Sequence, residues 1–98
     1  MHQAVLFTAQ TSNGNGQTVK TEFDKPQCEF HAWGVFGGGT VQLQQTQDGG
    51  QTWWDVEGAS LTASGTKEVE VAWGDVLRAT LTGATNPNVS ANIRSLYK

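Results

Sequence analysis

Hydrophobic and polar positions alternate along most of this chain, and nowhere do apolar residues recur at helical spacing. Residues 4–9 open with an apolar run. Ser12, Asn13, Gly14, Asn15 and Gly16 make a strong turn signal, and residues 17–23 resume with Val19, Thr21 and Phe23 in alternation. Asp24, Lys25 and Pro26 break the pattern. Over residues 28–36, Cys28, Phe30, Ala32, Gly34 and Phe36 share one face, with His31, Trp33 and Val35 on the other. Gly37, Gly38 and Gly39 then turn the chain into residues 40–47, where Val41 and Leu43 point inward and Gln42 and Gln44 outward. A returning strand over residues 53–56 is expected to end at Glu57 and Gly58.

Ser64, Gly65 and Thr66 lead into residues 67–73, where Val69, Val71 and Trp73 oppose Glu68, Glu70 and Ala72. Gly74 and Asp75 turn into residues 76–82, with Leu77, Ala79 and Leu81 inward and Arg78, Thr80 and Thr82 outward. Asn86, Pro87 and Asn88 close that strand, and residues 89–96 finish with Val89, Ala91 and Ile93 opposite Arg94. One buried and one wet face per strand predicts an all-β chain, a two-sheet antiparallel β-sandwich of about seven or eight short strands, immunoglobulin-like or jelly-roll. A chain of 98 residues is enough for one such domain over residues 1–98. No repeat at the period of a solenoid or propeller is visible.

Composition sharpens this picture. Only 15% of residues are charged and the net charge is −3, yet 37% are hydrophobic, so the chain is folded under a neutral polar skin. The six Lys and Arg residues are scattered, which argues against a nucleic-acid partner. No run approaches a membrane helix, and Met1, His2 and Gln3 lack the charge of a secretion leader, so synthesis in a cytoplasm without secretion is expected. The single Cys28 fits that reducing compartment.

Thr46-Gln47-Asp48-Gly49-Gly50-Gln51-Thr52-Trp53 follows the pattern Ser/Thr-x-Asp-x-Gly-x-Thr-Trp. Physically it is a hairpin tip: the Asp48 carboxylate can accept backbone N–H groups, and Gly49 and Gly50 can take positive φ. The motif resembles the Asp-box repeated in the propeller blades of sialidases. With one copy, that resemblance implies a structural turn at residues 48–51 built by Thr46, Asp48, Gly50, Thr52 and Trp53, and no sialidase site.

Candidate chemistry is sparse. Cys28 and His31 are spaced like a metal pair, but three residues apart on a strand they point to opposite faces. The pairs Glu22/Asp24, Asp55/Glu57 and Glu68/Glu70 each lie along one strand face, where they stay solvated and discourage edge pairing, unlike the paired carboxylates across a glycosidase cleft. Neither a nucleophile elbow nor a phosphate-binding helix start is present, so no enzyme, cofactor or metal is expected. Four Trp residues remain to be placed. Trp33 and Trp73 are candidates for the core, one against the other across the sheets. Trp53 and Trp54 are adjacent, so one faces in and the other out; the outward ring is a candidate contact for a protein partner or a sugar, unless a loop covers it.

Residues 33–94 resemble the small β-sandwich virion proteins of tailed bacteriophages. The resemblance lies in Trp33-Gly34-Val35-Phe36-Gly37-Gly38-Gly39-Thr40-Val41-Gln42-Leu43-Gln44, Asp48-Gly49-Gly50-Gln51-Thr52-Trp53, Leu61-Thr62-Ala63-Ser64-Gly65 and Leu77-Arg78-Ala79-Thr80-Leu81-Thr82-Gly83-Ala84. It implies a non-enzymatic capsid decoration (cement) protein that contacts the major capsid protein or another virion protein. It also implies a homo-oligomer, with a trimer favoured, located in the virion. The alternatives are a tail or neck accessory protein, and a carbohydrate-binding module or adhesin.

Overall fold

The computed structural model describes residues 3–20, 27–46, 48–70 and 76–95. They form nine strands: β1 (Gln3–Gln10), β2 (Gly14–Asn15), β3 (Val19–Lys20), β4 (Gln27–Val35), β5 (Thr40–Thr46), β6 (Trp54–Leu61), β7 (Gly65–Glu70), β8 (Val76–Thr82) and β9 (Asn88–Ser95). No helix occurs among the described residues. The front sheet has the order β1-β9-β4-β7; the back sheet has the order β2-β8-β5-β6, with β3 also on β8. Every pairing is antiparallel.

β2 and β3 run along the same side of β8, with Gly14 opposite Leu81 and Val19 opposite Leu77, so they are two pieces of one interrupted strand. The chain therefore winds back on itself: its first strand lies beside its last, and its second beside its second-last. That is the jelly-roll order, which decides between the two sandwich types the alternation left open.

The core fills the space between the sheets as the alternation predicts. Cys28, Phe30 and Ala32 of β4 are fully buried, as are Val89, Ala91 and Ile93 of β9, and Leu77, Ala79 and Leu81 of β8 meet them from the back sheet. Cys28 and His31 do point to opposite faces, the thiol into the core and the imidazole outward.

Two expectations need correction. Trp33 is not in the core: it is 40% exposed on the outer face of β4, and Phe30 is the largest fully buried side chain instead. Trp73, its expected partner, lies outside the described residues, as do His2, Thr21, Glu22, Phe23, Asp24, Gln47, Val71 and Leu96. The second correction concerns Glu57 and Gly58, which do not end a strand. β6 runs on to Leu61 through a wide bulge. Gln42 sits opposite Ser60 and Gln44 opposite Asp55, so residues 56–59 answer Leu43 alone. Gly58 takes φ +76° inside the bulge, and the Gln42 amide donates to the carbonyls of Leu43 (2.7 Å) and Val56 (3.1 Å) across it. The bulge resets the phase so that both Val56 and Ala59 reach the core.

Candidate functional site

The hairpin tip between β5 and β6 closes on its own hydrogen bonds. The Thr46 hydroxyl donates to Asp48 Oδ1 (2.9 Å) and accepts from the Gly50 N–H (3.1 Å). The Thr52 N–H donates to the same Asp48 oxygen (2.9 Å), and Trp53 Nε1 donates to the Gly50 carbonyl (3.1 Å). Gly49 and Gly50 take φ +78° and +97°, the left-handed backbone this turn requires. The Thr52 N–H and then the Thr46 hydroxyl hold the Asp48 carboxyl below the usual carboxylate range. Thr46, Asp48, Gly50, Thr52 and Trp53 are thus brought together. The carboxylate oxygen that does the bonding faces into the turn, an arrangement suited to holding a loop.

Trp53 then ties the tip to the back sheet. Its ring lies beneath the Arg78 guanidinium, with Cζ 4.0 Å from the ring centroid. Arg78 Nε donates to Gln44 Oε1 (2.9 Å), and Gln44 Nε2 donates to Asp55 Oδ1 (3.0 Å). Of the adjacent pair, Trp53 is therefore half-buried, while Trp54, opposite Gln45 at the start of β6, is the exposed ring.

The outer face of the front sheet is partly apolar. Val5, Trp33 and Val35 all project from it, three of the four large apolar side chains exposed among the described residues; the fourth is Trp54. Strand register fixes their neighbours. Asn92 of β9 lies between Val5 and His31, Ser90 beside Trp33, and Asn88 beside Val35. The His31 and Trp33 rings stack with centroids 4.8 Å apart and planes tilted by 39°. The charges nearest them along β4 neutralise each other, Arg94 Nη2 lying 2.9 Å from Glu29 Oε1. Toward the β7 end the face turns acidic, with Glu68 opposite Glu29 and Glu70 opposite Gln27. The signal for this patch was the placement of Trp33 on the same strand face as His31 and Val35, away from Phe30.

Among the described residues, no group of three or more His, Cys, Asp and Glu side chains is placed to hold a metal ion. No family, curated protein or solved structure matches the chain at a significant level.

Proposed function

We propose that the protein is a non-enzymatic component of a tailed-phage virion, a capsid decoration protein that docks through the outer face of its front sheet. The observation that carries this is the exposure of Val5, Trp33 and Val35 on one sheet face, beside the Arg94–Glu29 ion pair. An apolar and aromatic centre depleted of charge, within a polar surround, is the anatomy of a protein interface. Trp is also the side chain most often found as an energetic anchor. The jelly roll is a fold of viral shells and of lectins alike, so the fold supports this reading without selecting it.

In this reading Trp33 is the principal anchor, and Trp54, on β6 of the back sheet, is an exposed ring outside the docking face. The partner is the major capsid protein or another virion protein, copies of the chain associate around shared axes of the shell, and a trimer is the favoured grouping. Contact through apolar and neutral groups makes binding tolerant of salt. Co-sedimentation with purified phage shells should persist at about 0.5 M salt, where the Debye length is about 4–5 Å. Trp33→Ala should weaken it by about 2 kcal/mol, roughly 30-fold. Loss of binding at moderate salt would mean electrostatic docking and overturn this mode of attachment. Retention on an oligosaccharide column through Trp33, with none on shells, would move the function to an adhesin.

A further inference from the structure

We propose a second site on the opposite side of the sandwich, where Arg78, Gln44 and Asp55 form a fixed row that binds a neutral oligosaccharide through its hydroxyl groups. The three side chains come from adjacent strands of the back sheet and are direct register neighbours, Gln44 opposite both Arg78 and Asp55. Two strand spacings make the row about 10 Å long, close to the length of a disaccharide.

The row is held in place before any ligand arrives. Gln44 accepts from Arg78 Nε at 2.9 Å and donates to Asp55 at 3.0 Å, while the guanidinium rests 4.0 Å above Trp53. Trp53 is itself fixed by its bond to Gly50. Long polar side chains on a sheet surface ordinarily lose rotamer entropy when they bind, and here that ordering is already built in.

Its chemistry selects the class of ligand. Among the described residues no carboxylate lies within ion-pair distance of Arg78, whose Nε is the donor to Gln44, and its terminal N–H groups are the donors this end would offer an acceptor. At the other end, the second carboxylate oxygen of Asp55 is an acceptor for a donor. One cation and one anion in the same row cancel, so an ionic ligand attracted to one end is repelled by the other. A hydroxyl both donates and accepts, and suits both ends. The next row, which includes Thr80 and Gln42, is uncharged, and no large exposed apolar side chain lies in either row. That absence distinguishes this surface from the apolar face around Trp33. The site does not depend on shell docking; a chain attached by its front sheet would present this face outward.

The test is a titration of the isotope-labelled full chain, followed through the Arg78 Nε–H, the Gln44 amide and the Trp indole signals. Maltotriose, cellotriose, mannotriose and chitotriose serve as probes, with sodium acetate as the anion control. At least one sugar should give saturable shifts at Arg78, Gln44 and Trp53 with a Kd of about 1 mM, leaving Trp33 unmoved. Gln44→Ala should weaken that binding about 10-fold. Should that variant disturb the fold, Asp55→Asn, which keeps the shape and removes the anion, should weaken it as well. The proposal fails if no sugar saturates by about 10 mM, if the shifts appear at Trp33 instead, or if acetate saturates Arg78 over the same range. Shifts at Trp33 would bear on the front-sheet reading as well; the other outcomes leave binding to shells untouched.

Discussion

Thr46 is the only buried polar residue among those described, at 2% exposure, and its hydroxyl is used twice, as donor to Asp48 and acceptor from Gly50. Thr46→Val keeps the shape and removes both bonds, leaving a part-buried N–H without its acceptor. Urea denaturation should show a loss of about 1–3 kcal/mol. Asp48 gives the same tip a dependence on acid. Its folded-state pKa is lowered by the Thr52 N–H and the Thr46 hydroxyl, so its contribution is present above the unfolded value and lost as pH falls through the lower folded one. Thermal melts should therefore fall more steeply with acidification in the parent chain than in Asp48→Asn, the two converging below the carboxylate range. Cys28 behaves in the opposite sense. Burial pushes its thiol up to about 11, so the thiolate is disfavoured in the fold, and a thiol reagent should label it only once the protein is denatured.

At the scale of single elements, strands with clean alternation were legible. β5, β8 and β9 have the inward and outward residues that period two assigns, and so does β4 as far as Ala32, with Gly34 exposed where the pattern put it on the Cys28 face, because one buried face forces the register of side chains. Two things were not legible. Alternation gives the two faces of β4 but not which is the core when both carry aromatics, and Trp33 was assigned to the wrong one. Glu57-Gly58 has the chemistry of a chain terminator, but a glycine with positive φ can equally make a bulge that lets a strand continue. Which strand lies beside which was also beyond the pattern, since period two specifies faces and not neighbours. At the hairpin tip, the Asp48 carboxylate accepting a turn N–H and the positive φ of Gly49 and Gly50 were legible because they are local, while the Thr46 bonds and the Trp53–Arg78 stack were not. Glycine substitutions separate the two kinds of turn. A Cβ at Gly58 would meet nothing within 4 Å, so Gly58→Ala should cost only the left-handed backbone, about 1–2 kcal/mol. At Gly37 a Cβ would come within 2.1 Å of the Thr85 carbonyl, in a loop tied by a 2.9 Å bond from the Thr85 N–H to the Gly37 carbonyl. Gly37→Ala must move backbone as well as strain it, and equilibrium unfolding should rank it clearly below Gly58→Ala.

For the whole molecule, the core and the proposed docking face lie on opposite sides of the front sheet, and substitution can test whether stability and docking separate. Phe30 lies fully buried between the sheets, and Phe30→Ala should cost about 3–5 kcal/mol of stability. Trp33, three residues along the same strand, is 40% exposed and stacks on His31, so Trp33→Ala should cost much less stability than Phe30→Ala while weakening docking. The size of the face sets how strong docking can be. Four strands about 4.8 Å apart and about 25 Å long present roughly 500 Å². A standard stable interface takes about 800 Å² from each partner. A face of this footprint supports a modest contact, and an array of them on a repeating shell gains from multivalency. Analytical ultracentrifugation should accordingly find the free chain dissociated at low micromolar concentration, with oligomers assembling on the shell. Trp33→Ala should release it from shells at concentrations where the parent chain stays bound. A stable trimer in free solution that survives Trp33→Ala would place the self-contact on a surface other than the docking face.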